Sequence, residues 1–194
     1  AGDDRFFFYP LAAYIKELAI EHGFDFWDEA IWEKRGYASR GGGALMGSYP
    51  HPSNLMINQN HEHVLVFRKY ISESYWQTRS RPNEDILGKS AVTKDRWREI
   101  TQSIWDIETV TQSNLDIDHS AVFPEEIPKR AIQMYSFPGD TILDPFVGTG
   151  TTAVAAKKGG RGYIGIDQNE DYIEHAKEHL SDTDFDLDDY YADR

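Results

Sequence analysis

The stretch DPFVGTGTT, residues 144–152, combines an acidic residue with two glycines in the spacing of a ligand-binding turn. The apolar segment TILDPF, which overlaps its start, predicts a β-strand whose carboxyl end is Asp144. Gly148 and Gly150 permit a tight turn and allow a ligand to approach the main chain closely. A strand-terminal aspartate and a glycine turn are therefore the first candidates for a binding site.

The residues that follow complete a strand–helix–strand unit. TTAVAAKKG predicts a helix that begins at Thr151 and Thr152 and ends at Gly159 and Gly160. GYIGID then predicts a second buried strand, which ends at Asp167. A βαβ unit binds its ligand beyond the carboxyl ends of the strands, where Asp167 is placed to accept hydrogen bonds from ribose hydroxyls.

Two classes of cofactor compete for such a turn. A dinucleotide site favours G-x-G-x-x-G with a helix N-terminus facing the pyrophosphate, whereas two threonines replace the third glycine here. The carboxylate of Asp144 repels a phosphate but suits an amino group or a hydroxyl. S-adenosylmethionine carries an ammonium group, a sulfonium and a ribose but no phosphate, so it fits. A turn without any ligand is the remaining alternative, and the coincidence of Asp144, the glycines and Asp167 argues against it.

Hydrophobic periodicity predicts the elements that position this unit. They are a helix within residues 10–24, a strand at 24–34, a strand at 61–70, a helix or a helix followed by a strand at 96–108, and a helix at 124–135 with Ile127, Ala131, Ile132 and Tyr135 on one face. Residues 35–54 hold five glycines and two prolines, which predicts a long loop of the functional or disordered kind. Trp32 and Trp105 are expected in the core or in a pocket wall.

Composition narrows the class of protein. The 194 residues suffice for one globular domain with a sizeable core. The absence of cysteine excludes disulfides, thiolate zinc ligands and a cysteine nucleophile. No apolar run approaches the roughly 18 residues that span a bilayer, and the N-terminus lacks the pattern of a signal peptide. We therefore expect an intracellular protein without membrane association.

The net charge of −13 is unevenly distributed along the chain. Residues 167–194 contain eleven acidic and two basic side chains, so this end alone carries −9 of the charge. We expect residues 181–194 to form an acidic, disordered tail. The remaining residues carry a net charge of only −4, which leaves room for a basic groove that binds DNA.

Several segments of the sequence resemble the motifs of one enzyme family. LDPFVGTGTTAVAAKKGGRGYIGIDQNEDYIEHA closely resembles the cofactor motif of the amino-methylating DNA methyltransferases, in the permuted group whose cofactor motif follows its catalytic motif. HSAVFPEEIPKR resembles the family segment that lines the cofactor pocket. Farther upstream, IWEK, GSYPHPSN and NHEHVLVFRK resemble parts of the catalytic half. The resemblance extends over about residues 10–180.

The resemblance implies a Rossmann-like α/β fold with a doubly wound, mostly parallel sheet, here permuted and incomplete, and S-adenosylmethionine as the cofactor. The methyltransferase domain is expected at residues 1–180, with target-facing loops at 35–60 and 71–95. The residues expected to bind the cofactor are Asp144, Pro145, Phe146, Gly148, Gly150, Thr151, Thr152, Asp167, Tyr172, His119, Phe123 and Pro124.

The activity implied is methyl transfer to an exocyclic amine of a flipped DNA base, with N4 of cytosine preferred over N6 of adenine. The family's Ser/Asp-Pro-Pro-aromatic motif, which accepts hydrogen bonds from that amine, is absent from this sequence. The catalytic residues are therefore unassigned, and we expect a fragment or one half of a split enzyme. A catalytically inactive cofactor-binding subunit and a methyltransferase acting on RNA or protein are the alternatives.

Arginines interleaved with aromatic residues are candidates for DNA contact. The preferred DNA-binding residues are Arg35, Arg40, Ser48, Tyr49, Arg79 and Arg81, and the wider basic set adds Arg68, Lys69, Lys94, Arg96 and Arg98. The expected partner is double-stranded DNA, and a cognate restriction endonuclease and the missing catalytic half are further candidates. We expect a cytoplasmic, nucleoid-associated location. His61 and His63 share one strand face, but without a third ligand we predict no metal site.

Overall fold

The computed structural model of the chain describes residues 9–35, 51, 57, 59–69, 82–110, 123–184 and 190. The elements in chain order are α1 Leu11–Glu21, β1 Phe24–Arg35, β2 His61–Lys69, α2 Glu84–Lys89, α3 Lys94–Ile100, β3 Ile104–Glu108, α4 Glu126–Tyr135, β4 Thr141–Asp144, α5 Thr151–Lys158, β5 Gly162–Gly165 and α6 Glu170–Ser181. The elements predicted from periodicity are confirmed, and residues 96–108 adopt the helix-then-strand alternative.

The first sheet has the strand order β2-β1-β3. β1 runs antiparallel to β2, with Phe24 opposite Lys69 and Glu33 opposite His61. β3 lies on the other side of β1 and is parallel to it, but it pairs only with residues 31–35. Within the described residues, the first half of β1 therefore has a strand neighbour on one side alone.

The second sheet consists of β4 and β5, which are parallel and joined through α5. This arrangement confirms the predicted βαβ unit. The expectation that β5 is buried is wrong, because each of its residues is exposed. Leu143 and Ile164, paired across the two strands, are 59% and 53% exposed. The reason is that α5 covers one face of this sheet, while no described element covers the other.

Helix α4 packs between the two sheets. Ile127 and Met134 pack against a buried cluster in the first sheet, formed by Ala30, Trp32, Trp105 and Ile107. Ile132 instead joins a cluster with Ala155 and Ala156 of α5. The prediction of a single apolar face is therefore wrong, because a helix with packing partners on two sides must be apolar on both.

Helix α1 lies against the first sheet through polar contacts. None of its residues is buried, and Leu11 and Leu18 are 59% and 39% exposed. Lys16 donates a hydrogen bond to Glu29 at 2.7 Å, and Glu29 also pairs with Nδ1 of His63 at 2.8 Å. The hydrogen bonds from Lys16 and His63 lower the pKa of Glu29. His63 thus belongs to a hydrogen-bonded network that also includes Glu29 and Lys16 of α1.

Two absences concern only the part of the chain that the structure describes. No helix there has the length and apolar composition needed to cross a bilayer. Likewise, no group of three or more histidines, aspartates and glutamates there is arranged to hold a metal ion.

Part of the expected acidic tail lies within the described residues, and some of its side chains are buried. Helix α6 ends at Ser181, Thr183 is 9% exposed, and Tyr190 is only 4% exposed. The Tyr190 ring lies in the cluster with Ile132, Ala155 and Ala156, against Gly159, where an added Cβ would come within 2.9 Å of it. The Tyr190 ring is therefore enclosed, whereas residues 185–189 and 191–194 lie outside the described residues and their predicted disorder stays a prediction.

Replacing Tyr190 with alanine should destabilise the chain by about 3 kcal/mol, because the substitution empties a buried ring site between α4 and α5. The matched control is Tyr9→Ala, since Tyr9 is 63% exposed. Urea unfolding followed by circular dichroism measures both. Equal stability losses in the two variants would contradict the burial of Tyr190.

Candidate functional site

The turn after β4 has a backbone conformation that requires glycine. Gly148 and Gly150 adopt φ values of 52° and 92°, in the left-handed region that other residues avoid. A Cβ on Gly150 would also lie 2.9 Å from the Cβ of Ala176 in α6. Ala176 was not identified from the sequence, and a small residue seven positions into a helix gave no signal of this contact.

The carboxylate of Asp167 fastens this turn to the end of the second strand. Its Oδ2 accepts a hydrogen bond from the Gly148 amide, and its Oδ1 accepts one from the Asn169 amide, each at 2.9 Å. An ionised carboxylate offers about four lone-pair sites to donors. Asp167 therefore fixes the turn just beyond the carboxyl end of β5.

Backbone hydrogen bonds join the same elements. The Ile166 amide donates to the Asp144 carbonyl, and the Val147 amide donates to the Ile166 carbonyl, each at 2.9 Å. Gly165 allows this approach, because a Cβ there would lie 2.8 Å from a methyl group of Val147. The carboxyl ends of β4 and β5 are thus held together, as the βαβ pattern predicts.

Asp144 lies half-buried at the end of β4, and its Oδ1 accepts a hydrogen bond from the Phe146 amide at 2.9 Å. The Phe146 ring is 85% exposed, so it extends from the turn into solvent. Pro145 is exposed, whereas Thr151 and Thr152 are half-buried in the first turn of α5. This places an acidic side chain and an exposed aromatic ring beside the positive end of a helix.

The remaining predicted cofactor residues come from flanking elements. Phe123 is half-buried against the cluster of the first sheet, and Pro124 is buried just before α4. Tyr172 is half-buried in the first turn of α6. His119 lies outside the described residues. The structure thus brings Asp144, the turn glycines and Asp167 into one site.

The preferred DNA-binding residues fall almost entirely outside the described part of the chain. Outside it lie Arg40, Ser48, Tyr49, Arg79 and Arg81, most of the predicted target-facing loop 35–60, and residues 71–81 of the loop 71–95. For Arg35 the structure describes the backbone alone, at the carboxyl end of β1. DNA contact by these residues stays a prediction.

Two residues of the wider basic set, Arg68 and Lys69, lie far from Arg35 in the first sheet. Arg68 and Lys69 pair with Asp25 and Phe24, at the opposite end of β1 from Arg35. Eleven residues of extended chain separate the two ends by about 35 Å. The Arg68 Nε binds Asp25 at 3.2 Å, and its guanidinium stacks on Trp27 at 4.0 Å. The hairpin register therefore separates Arg68 and Lys69 from Arg35.

Arg96, also in the wider set, is a structural side chain. It is 6% exposed, and its Nη1 lies 2.8 Å from Oε1 of Glu126 in α4. Burial lowers its pKa, but the hydrogen bonds and charges of Glu126 and Glu99 more than offset this, so the pKa is raised. The expectation of a DNA contact is wrong for Arg96, because its side chain is enclosed between α3 and α4.

A family model described as DNA methylase matches residues 2–178. The Type II methyltransferase M.MjaI of Methanocaldococcus jannaschii is 38% identical over 141 residues, which cover 71% of this chain and 43% of that protein. M.BglI of Bacillus subtilis is 31% identical over 161 residues, covering 82% of this chain and 40% of the relative. The chain therefore spans less than half the length of these relatives.

Solved structures show the same relationship. TTHA0409 of Thermus thermophilus, a putative DNA modification methylase crystallised with S-adenosyl-L-methionine, is 30% identical with a TM-score of 0.67, covering 89% of this chain and 60% of that one. The cytosine-N4-specific PvuII methyltransferase shares the fold at 18% identity, with a TM-score of 0.58. The chain belongs to the DNA methylase family and has the Rossmann-like α/β fold of its structural neighbours.

Substituting alanine for Gly150 should destabilise the fold by more than about 1 kcal/mol, because φ is positive there and the new Cβ meets Ala176. Gly88→Ala is the matched control, since nothing lies within 4 Å of a Cβ at that helical position. That control should be neutral or stabilising. Thermal melting of both variants measures the difference, and a neutral Gly150→Ala would refute the packing of α6 on the turn.

Proposed function

We propose that this chain is the cofactor-binding part of an S-adenosylmethionine-dependent DNA methyltransferase that modifies an exocyclic amine of a base. The observation that carries the proposal is the turn held by Asp167 between β4 and α5, in a chain that belongs to the DNA methylase family. The presence of S-adenosyl-L-methionine in the TTHA0409 complex supports the same cofactor here.

The residues at the turn fit this cofactor chemically. Asp144 is an acidic partner for the methionine ammonium group, and Asp167 can accept hydrogen bonds from ribose hydroxyls. Neither carboxylate suits a phosphate, which a dinucleotide would bring. Phe146, exposed beside the turn, offers an apolar surface. When bound, S-adenosylmethionine would supply the methyl group.

For the acceptor, we infer N4 of cytosine in preference to N6 of adenine. The support is the resemblance of GSYPHPSN and NHEHVLVFRK to N4-cytosine members of the family. Adenine N6 is the second candidate, since the family includes both specificities. Double-stranded DNA is the proposed substrate, and a cognate restriction endonuclease is the proposed functional partner.

The amine-activating motif would come from an element outside these 194 residues, which contain no Ser-Pro-Pro or Asp-Pro-Pro. An exocyclic amine is a weak nucleophile because its lone pair is conjugated with the ring, so hydrogen-bond acceptors must be supplied to it. A separate catalytic chain would make this chain the cofactor-binding half of a split enzyme. A catalytic segment covalently continuous with it would make a single-chain enzyme.

Open surfaces in the structure support such an element. Within the described residues, the first half of β1 and one edge of β4 lack a strand neighbour. An apolar cavity of about 730 Å³ adjoins the open part of β1, with Ala30, Ile100 and Met134 in its lining. A strand added there would satisfy the backbone groups of both edges and fill apolar space.

Isothermal titration with S-adenosylmethionine tests the cofactor site. The Asp167→Asn variant should bind S-adenosylmethionine roughly 10- to 100-fold more weakly. The NH₂ group of asparagine cannot accept a hydrogen bond, so either the Gly148 or the Asn169 amide loses its acceptor. Asp171→Asn, the same charge change at an exposed position in α6, is the control and should bind like the parent chain. Equal affinities for the parent and Asp167→Asn would refute the role of Asp167.

Transfer of tritium from labelled cofactor to DNA, RNA and protein tests the reaction. The assay compares the chain alone with the chain supplemented by a catalytic segment carrying the Pro-Pro motif. We expect label on DNA in the supplemented reaction, and nucleoside analysis to give N4-methylcytosine. N6-methyladenine would select the second acceptor, and label on RNA or protein alone would refute the DNA proposal.

A further inference from the structure

Two buried arginines connect α3 and α4 in a crosswise pattern. Arg96 of α3 and Arg130 of α4 are each 6% exposed. Within its own helix, Arg96 binds Glu99 at 3.1 Å and Arg130 binds Glu126 at 2.7 Å. Between the helices, Arg96 reaches Glu126 at 2.8 Å and Arg130 reaches Glu99 at 2.5 Å. Each carboxylate thus receives both guanidinium groups, and the four charges cancel.

Additional contacts orient the two guanidinium planes. Oε1 of Gln133 accepts hydrogen bonds from Nε and Nη2 of Arg96 at 3.1 and 3.0 Å. The Arg130 guanidinium lies 5.5 Å from the centre of the Trp105 ring, which is 1% exposed. Arginine in this forked geometry defines the relative position of its partners more narrowly than a point charge does. The network therefore fixes the position of α4 along its axis and its rotation about that axis, relative to α3.

The end of α4 that this network holds follows Phe123 and Pro124, which the family resemblance assigns to the cofactor pocket. Glu126 is the first residue of α4 and lies shortly after Phe123 and Pro124. The Ile127 amide donates to the Pro124 carbonyl at 3.1 Å, which ties that segment to the helix. Phe123 packs against the cluster that contains Trp105. The network thus holds the segment on two sides, through Glu126 and through Trp105.

We propose that Arg96 and Arg130 are positioning residues for the cofactor site: their crosswise ion pairs hold the first turn of α4, and thereby Phe123 and Pro124, in the binding geometry. The inference rests on the proposed function, in which these two residues line the S-adenosylmethionine pocket. Both arginines are buried and paired with Glu99 and Glu126, so the effect would be transmitted through α4.

The experiment measures cofactor affinity by isothermal titration for the parent chain, Arg96→Met and Arg130→Met. Each variant should bind roughly 2- to 30-fold more weakly than the parent, the range found when coupled positions are altered. Arg96→Lys keeps the charge beside Glu126 and should recover part of the loss. Arg98→Met is the surface control, because Arg98 is 63% exposed and pairs within α3, with Asp95.

Arg161→Met separates positioning from general stability. Arg161 is also a buried arginine bound to α4, but it holds the opposite end, where its Nη2 donates to the Ser136 carbonyl at 2.7 Å. This variant should lower the melting temperature without changing the affinity of the folded protein. Weakened affinity for Arg96→Met with unchanged affinity for Arg161→Met supports positioning, whereas equal losses in both would reduce the network to a stability role.

The remaining outcomes are also decisive. Failure of the parent chain to bind S-adenosylmethionine, alone or with the catalytic segment, overturns the proposed function and this inference with it. Parent binding combined with parent-like affinity in folded Arg96→Met and Arg130→Met overturns the positioning role alone. Should either methionine variant fail to fold, Glu99→Gln replaces it, because the side chain of Glu99 is 51% exposed yet accepts from both arginines.

Discussion

The carboxylate of Asp167 determines the shape of the candidate site. Its two oxygens hold the amides of Gly148 and Asn169, one on each side of the gap between the glycine turn and the start of α6. Hydrogen bonds to a charged acceptor are about twice as strong as neutral ones. The left-handed conformations of Gly148 and Gly150 and the contact of α6 with the turn are therefore supported by one side chain.

Helix α4 connects the first sheet with the βαβ unit. Its Ile127 and Met134 side belongs to the core of the first sheet, whereas Ile132 packs on α5 of the second. The buried ion pairs of Arg96 and Arg130 restrict how α4 slides or rotates. A purely apolar contact fills space but specifies position less narrowly, and buried ionic groups are known to serve such specificity in some proteins. The apolar contacts and the ion pairs of α4 together position the segment that precedes it.

The two sheets differ in how completely they are covered. Trp32 and Trp105 are nearly inaccessible in the first sheet, whereas Leu143 and Ile164 of the second sheet are more than half exposed, as is Ile166 just after β5. Apolar side chains on one sheet face gain their stabilisation only when another layer packs on them. The proposed catalytic element would provide that layer and complete the open edges of β1 and β4. Cofactor binding and acceptor activation would then meet at the carboxyl ends of the strands.

Local patterns were sufficient to predict the βαβ unit, because strand, turn and helix signals there depend on neighbouring residues. The roles proposed for Asp144 and Asp167 follow from their places at strand ends, and the spacing of the glycines predicts the turn. Contacts between distant residues were decided by the tertiary structure. Pairing with Glu126, thirty positions away, buries Arg96, although its sequence context resembles a DNA contact.

The same reasoning applies to Tyr190 and β5. Tyr190 lies in a strongly acidic segment, yet its ring is buried in the space that the missing side chain of Gly159 leaves open. The sequence GYIGID has the composition of a buried strand, but burial depends on which layers surround it. The sequence by itself thus determined the local βαβ turn and which side chains lie at its strand ends. The tertiary structure alone decided which side chains are enclosed, because enclosure arises from packing between elements that are far apart in the chain.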